Sequence, residues 1–305
     1  MIKNIALVLT IIWAMTMCTF ASAAYSRPLL VLDMRNSPEL PRHFRAATDT
    51  LPDSVNVTGL AELHIAGGGQ FSKASLEKIL RRLQTKNIFV IDLRQESHGM
   101  LNNNAISWYG PRNASNEGKT INQIDEDQSQ LLMALGEQET AMVNKILKKS
   151  ANGAIEKVKP TEYMVHQTST EEELVTGMKL RYKRIFVEDY HAPTNKEVDR
   201  FIQIAQKIPA NRWIYFHCRA GIGRTSVFMT MYDMMHNAKK VSLEDILARQ
   251  VALGGKDLTQ FPDKKHFKYH WAVERLDFIK KFYAYAHDNR DNFKTSWSEW
   301  LKSHK

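Results

Sequence analysis

The segment that most constrains this 305-residue chain runs from Trp213 to Met235. An apolar run, Trp213 to Phe216, reads as a buried strand. It leads into His217-Cys218-Arg219-Ala220-Gly221-Ile222-Gly223-Arg224-Thr225-Ser226. Val227, Phe228, Met231, Met234 and Met235 then recur at helical spacing. A strand, a glycine-bearing loop and a helix in that order require a βα unit. The five residues between Cys218 and Arg224 can wrap a semicircle around one phosphate. The amides of Arg219 to Arg224 would then point inward at its oxygens. The helix N-terminus adds positive potential, and Gly221 and Gly223 allow backbone angles that a side chain forbids. Arg224 can close the ring with a bidentate fork. The same field favours the thiolate of Cys218, placed to attack phosphorus in line. Thr225 can donate a hydrogen bond to the leaving sulfur, and His217 is expected to order the loop rather than move protons.

The rest of the chain repeats the strand and helix alternation. Leu29–Leu32, Ile88–Leu93 and Ile185–Val187 read as further buried strands. Ser72–Leu83 places Leu76, Ile79, Leu80 and Leu83 on one helical face. Thr194 to Glu197 reads as a capping box before a helix burying Val198, Phe201, Ile202 and Ala205. A helix from Ser242 is expected to bury Leu243, Ile246, Leu247 and Val251. A last long helix spans Lys268–His287, and Trp297 and Trp300 pack back on the body. This alternation implies an α/β fold with a largely parallel central sheet flanked by helices. The polar stretch from about 101 to 180 breaks the rhythm and reads as an inserted lobe.

The first residues form a short positive region, an apolar run from Ile5 to Phe20, and Ala21-Ser22-Ala23. That is the pattern of a secretory signal cleaved after Ala23, which implies a periplasmic or secreted protein with no stable membrane anchor afterwards. Cleavage would remove Lys3 and no acid. It would leave 41 bases against 33 acids, a charge of +8. It would also remove Cys18, so Cys218 could form no intramolecular disulfide. With 43% hydrophobic residues and 23 Gly and Pro in all, disordered and collagen-like chains are excluded. The basic balance suits an anionic partner. Its bases are dispersed without interleaved aromatics, which argues against nucleic acid.

The His-Cys-x5-Arg-Thr pattern between strand and helix resembles the Cys-dependent protein-tyrosine-phosphatase superfamily. In that superfamily an acid lies about 30 residues earlier and protonates the departing oxygen. Asp189 in Glu188-Asp189-Tyr190-His191-Ala192-Pro193 is 29 residues before Cys218 and is expected to be that acid, with Glu188 the competing carboxylate. Upstream, Asp92-Leu93-Arg94-Gln95-Glu96-Ser97-His98-Gly99 resembles a segment of the tyrosine-phosphatase-like phytases. Leu40-Pro41-Arg42-His43-Phe44-Arg45, Gly69-Gln70-Phe71-Ser72 and the tail to Trp300-Leu301-Lys302-Ser303-His304 resemble others.

The resemblance implies stepwise, metal-independent hydrolysis of myo-inositol polyphosphates through a cysteinyl-phosphate, without cofactor. It also implies a protein-tyrosine-phosphatase-like core with a small β-rich lobe, which favours a strand at Met142–Leu147. Arg45 would meet substrate phosphates. Glu96 and His98 would line the loop beside the site, as would Tyr190 and His191 after the acid. Lys268 and His270 would supply cations to distal phosphates. Tyr190 replaces an expected His, and His270 an expected Lys. The rival readings are a phosphoinositide or protein-tyrosine phosphatase, since an Ala-Gly-x-Gly-Arg-Thr loop also occurs in lipid-directed relatives, and a non-catalytic binder of phosphorylated ligands.

Overall fold

The computed structural model describes residues 28–304; the expected signal, Met1–Ala23 with Cys18, lies outside them. In chain order the elements begin with β1 (Leu29–Met34), β2 (Arg45–Ala46), β3 (Ile65–Gly68), α1 (Lys73–Arg82) and β4 (Ile88–Asp92). Then come β5 (His98–Leu101), β6 (Asn104–Tyr109), α2 (Ile121–Gly136), β7 (Thr140–Lys149), β8 (Ile155–Met164) and β9 (Thr168–Ser169). The chain continues with α3 (Glu171–Gly177), β10 (Arg181–Arg184), α4 (Asn195–Ala205), β11 (Trp213–His217) and α5 (Gly223–Asn237). It closes with α6 (Leu243–Ala252), α7 (Tyr269–Asp288) and α8 (Trp297–Ser303).

Among the described residues the strands form two sheets. The central one has the order β10-β4-β11-β3-β2 and is parallel except for β2. Strand β11 lies between β4 and β3, and separate cores cover its two faces, Ile214 and Phe216 in one and Tyr215 in the other, so all three are fully buried. A parallel strand buried on both faces reads as a continuous apolar run. Phe216 packs in one core with Val198, Phe201 and Ile202 of α4 and Val227, Phe228 and Met231 of α5. Met229, Met231 and Met234 are buried there as flexible filler. Trp297 seals the far side and donates from Nε1 to Asn195 Oδ1 at 2.9 Å.

The second sheet has the order β8-β7-β1-β6-β5-β9. It departs from the sequence reading in two respects. Leu29–Leu32 is a strand, but it pairs with β6 and β7 rather than joining the central sheet. The lobe therefore draws on β1 and β5 as well as on residues 101–180, and it carries the 16-residue helix α2, started by a Thr120–Gln123 capping box. Met142–Leu147 lies within β7.

Three local expectations are corrected. The strand before the acid loop is Arg181–Arg184, four residues earlier than expected. Its exposed and buried residues alternate because it is an edge strand. Ile185–Val187 is loop whose Ile185 and Val187 still pack in the core. At α4, Thr194 accepts from the Glu197 amide, but the Glu197 carboxylate turns to accept from Phe186 N at 3.0 Å, so only half of the capping box forms. Val251 is exposed on α6, because the buried stripe ends at Gln250.

Candidate active site

The loop from Cys218 to Ile222 joins β11 to α5, so two rigid elements fix its ends. Gly221 has φ +79°, and a Cβ there would fall 2.3 Å from the backbone of Gly68 and Gly69. Only glycine lets the loop close against the end of β3. Cys218 is buried, and its Sγ accepts from the Gly221 amide at 3.3 Å. The Thr225 hydroxyl lies 3.3 Å from Sγ and 3.3 Å from Gly68 O. It has one proton and can serve only one of them at a time. Ala220 O accepts from His43 Nδ1 at 2.9 Å.

Arg224 is almost fully buried. Its Nη1 and Nη2 donate to the two Glu96 oxygens at 2.6 and 2.9 Å, and Nη1 also meets Leu93 O and Val187 O. Nε has no partner, so the Nε edge is the one open to an anion. Burial acts to lower the pKa of Arg224, but Asp189 and Glu96 outweigh it and hold the group well above its ordinary value. Burial likewise pushes Glu96 up, and Arg224 and Arg94 outweigh that and hold it well below the usual carboxylate range.

The Glu96 fork belongs to a longer ladder. Arg94 Nε also donates to Glu96 at 2.9 Å, and its Nη1 donates to Asp33 at 2.9 Å. Asp33 in turn receives Arg219 Nε at 2.6 Å. Both loop arginines, Arg219 and Arg224, are thus braced through Arg94. Arg94 and Asp33 escaped the sequence reading because nothing in a sequence shows that a strand of the lobe reaches the loop.

Asp189 faces this centre. Its Oδ1 lies 3.4 Å from Arg224 Nη2, and its Oδ2 accepts from Asn113 Nδ2 at 3.0 Å. Glu188 turns away, 3.8 Å from His191 Nε2, and burial pushes its pKa up. His191 also faces Glu274 at 3.6 Å and packs on Trp271. Tyr190 stacks on Trp271 with ring centroids 5.8 Å apart, and Lys268 Nζ sits 4.4 Å over its ring. Burial pulls the pKa of Lys268 down.

Three expected substrate contacts, Arg45, Glu96 and His98, are placed elsewhere. Arg45 is 1% exposed and donates to Gly221 O at 2.7 Å, His43 O at 3.0 Å and Ser226 Oγ at 3.0 Å. It props the back of the loop. Glu96 clamps Arg224 rather than facing a ligand. His98 is buried, with Nδ1 2.8 Å from Glu96 O and Nε2 3.1 Å from Asp92 Oδ2. Both ring nitrogens thus face oxygen atoms. Its companion Glu171 Oε1 lies 2.7 Å from His217 Nε2, and His217 stacks on Tyr215. Asp92, His98 and Glu171 have the composition of a metal site. His98 Nε2 lies 3.1 Å from Asp92 Oδ2 and 3.6 Å from Glu171 Oε2, and Asp92 also accepts from Tyr182. His270 is exposed at the start of α7, its ring beside Tyr269.

A further cation went unread. Arg275 is buried on α7, with Nη1 3.1 Å from where a Gly223 Cβ would stand and Nε unpartnered. Lys268, Trp271 and Arg275 recur at helical spacing, a signal that would have found it. Beside the loop, a cavity of about 1160 Å³ is lined by Arg35, Arg42, Lys145, Lys149, Lys159 and Arg219, against Asp33 and Glu39.

The comparisons with known proteins agree with this geometry. A family model described as PTP-like phytase, inositol hexakisphosphate, matches residues 91–236. A PTP-like myo-inositol phosphatase from Mitsuokella multacida, solved with myo-inositol-(1,3,4,5)-tetrakisphosphate, is 34% identical with a TM-score of 0.82. That match covers 95% of this chain and 52% of the other. A PTP-like phytase from Bdellovibrio bacteriovorus is 32% identical over 90% of this chain and 95% of its own, with a TM-score of 0.68. The effector protein hopD2 of Pseudomonas syringae pv. tomato is 28% identical over 85% of this chain and 57% of its own. The chain thus spans about half the length of the Mitsuokella protein and of hopD2. With the Bdellovibrio protein matched nearly end to end, this chain belongs to the protein-tyrosine-phosphatase-like phytase family.

Proposed function

We propose that the protein is a phosphomonoesterase that hydrolyses myo-inositol polyphosphates stepwise through a cysteinyl-phosphate at Cys218. The observation that carries this is a Cys218 Sγ held by the Gly221 amide and the Thr225 hydroxyl in a loop whose closing Arg224 keeps an unpartnered Nε and has Asp189 3.4 Å from its Nη2. The loop amides and Arg224 bind the three non-bridging oxygens and stabilise the charge that builds on them. The Cys218 thiolate attacks phosphorus, a sulfur–phosphorus bond forms, and the bond to the inositol oxygen breaks. Asp189 gives its proton to that oxygen. Water then attacks the cysteinyl-phosphate and gives a proton to Asp189. Phosphate leaves, and Thr225 stabilises the departing sulfur.

The substrate class rests on charge. A multiply phosphorylated inositol presents anions several ångströms from the reacting phosphate. Arg275 stands beside Gly223 of the loop, Lys268 over the Tyr190 ring, and the six-cation cavity is lined in part by the loop's Arg219. The Mitsuokella relative was solved with an inositol tetrakisphosphate. Among the described residues no helix is long and apolar enough to cross a membrane. Export to the periplasm or medium is proposed from the Met1–Ala23 pattern alone.

The test is phosphate release from inositol hexakisphosphate, a phosphoinositide and a phosphotyrosine peptide, each with EDTA. Release should be fastest from inositol hexakisphosphate and unaffected by chelation. Faster release from either rival overturns the substrate class, and chelator-sensitive release overturns the mechanism.

A further inference from the structure

One side chain of the lobe reaches the Asp189 carboxyl. Strand β6 ends at Tyr109, and the turn Pro111–Asn113 follows. Its last residue, Asn113, is 3% exposed and donates from Nδ2 to Asp189 Oδ2 at 3.0 Å. Two features set this contact apart from ordinary packing. The first is the shape of the turn. Arg112 has φ +54° and Asn113 φ +63°, a region that a bulky residue such as Arg keeps only where its surroundings impose it. The tip of the β7–β8 hairpin does so. Gly153 O accepts from the Arg112 amide at 3.3 Å, and Asn152 O from its Nε at 3.1 Å. The Arg112 guanidinium also lies 5.6 Å over the Phe267 ring. The second feature is an unmade bond. Among the described residues Asn113 Oδ1 is buried with no partner. A buried amide placed for stability has both ends partnered as a rule. This one is buried for a single side-chain bond, and that bond goes to Asp189.

We propose that Asn113 is the positioning residue of the proton donor and decides which oxygen of Asp189 delivers. An amide N–H at Oδ2 fits an oxygen that carries no proton. The proton of Asp189 is therefore carried on Oδ1, which stands 3.4 Å from Arg224 Nη2 and so beside the reacting phosphate. Oδ1 also accepts from the Tyr190 amide at 3.1 Å, and a protonated Oδ1 keeps a lone pair for that bond. When Oδ1 gives its proton to the inositol oxygen, Oδ2 keeps the Asn113 bond, now as part of a carboxylate. Asn113 itself gains and loses no proton. It is too buried to touch a substrate, so it acts through Asp189. The inference rests on the phosphatase reading above.

Leaving groups separate this role from a structural one. An inositol oxygen departs as a poor leaving group and needs the proton, whereas an aryl oxygen departs with less help. The quantity to compare is kcat/KM, which reports the breaking of the ester bond and not the later hydrolysis of the cysteinyl-phosphate. Asn113→Gly removes the amide at a backbone angle that glycine adopts readily. It should lower kcat/KM on inositol hexakisphosphate by about 10- to 150-fold, the range for a lost hydrogen bond to a charged group. On an aryl phosphate the loss should be several-fold smaller. In an Asp189→Asn background the same change should cost less than about two-fold on inositol hexakisphosphate, because the group it positions has no acidic proton to give. Asn113→Asp is the second variant, and it carries the comparison if Asn113→Gly folds poorly. Aspartate has the shape of asparagine and shares its tolerance of the left-handed region, but its carboxylate cannot donate. It should show the same selective loss. Equal losses on the two substrates, an undiminished loss in the Asp189→Asn background, or full activity on inositol hexakisphosphate in both variants would overturn the assignment. Failure of the phosphatase reading itself shows separately, as a wild-type protein that releases no phosphate from either substrate.

Discussion

Arg45 separates the resemblance from the structure. The resemblance makes it a contact to substrate phosphates. The structure buries it behind the loop, where its three hydrogen bonds tie Gly221 and Ser226 to the turn at His43. Arg45→Met removes the guanidinium and leaves most of the stem. Hydrogen bonds to a charged group contribute about 1.5–3 kcal/mol each, so three give roughly 4.5–9 kcal/mol gross. Burial opposes them: it pulls Arg45 down from 12.5 to about 10, equivalent to about 3 kcal/mol that deletion recovers. The net loss is about 1.5–6 kcal/mol, which at about 2–4 °C per kcal/mol lowers the melting temperature by roughly 3–24 °C. Turnover should fall too, since Arg45 adds positive potential at Cys218. Because the damage lies under the reacting phosphate, kcat/KM should fall equally for inositol hexakisphosphate and for a small aryl phosphate. The assay pairs a thermal melt with both kcat/KM values. An unchanged melt with a loss confined to inositol hexakisphosphate would refute the reasoning and return Arg45 to the substrate.

Lys268→Ala should behave oppositely: the melt stays, and kcat/KM falls several-fold for inositol hexakisphosphate alone. That loss should shrink at high salt, because screening weakens the wild-type contact; it is measured at two ionic strengths. Glu96 makes a prediction about acid. Its folded pKa lies below its unfolded value, so the native state binds fewer protons than the unfolded chain. Its contribution is therefore complete above about pH 4.3 and is lost as pH falls toward the depressed folded value. Glu96→Gln should be less stable at pH 7 and lose less stability on acidification, as denaturant melts across pH 3–7 will report.

The phosphate loop was legible because its chemistry is contiguous. One run of ten residues, His217 to Ser226, carries the proposed nucleophile, the glycines and the arginine, and the strand and helix beside it are strongly patterned. The Asp189 loop was legible in part: the resemblance pointed to Asp189 as the expected acid, but the strand before it was placed on Ile185–Val187. Apolar loop residues over a core look like a strand, while the real strand, Arg181–Arg184, alternates at a sheet edge. Leu29–Leu32 was read as strand in the wrong sheet, because pairing partners are long-range and periodicity records only burial. Arg45, Glu96 and His98 were assigned by motif as ligand contacts. A motif does not report depth, and all three lie behind the surface that the ligand would meet. The ladder from Arg219 through Asp33, Arg94 and Glu96 to Arg224 joins three distant segments, and it became visible only when the sheets were assembled.

The central claim is that phosphorus passes through sulfur at Cys218. Rapid acid quenching during turnover of inositol hexakisphosphate, followed by proteolysis and mass spectrometry, tests it directly. The account predicts one phosphoryl group on the peptide holding Cys218, none on any other peptide, and none in Cys218→Ser, which should bind phosphate without turning over. Turnover in Cys218→Ser, or a phosphoryl group on another residue of the active enzyme, would contradict it.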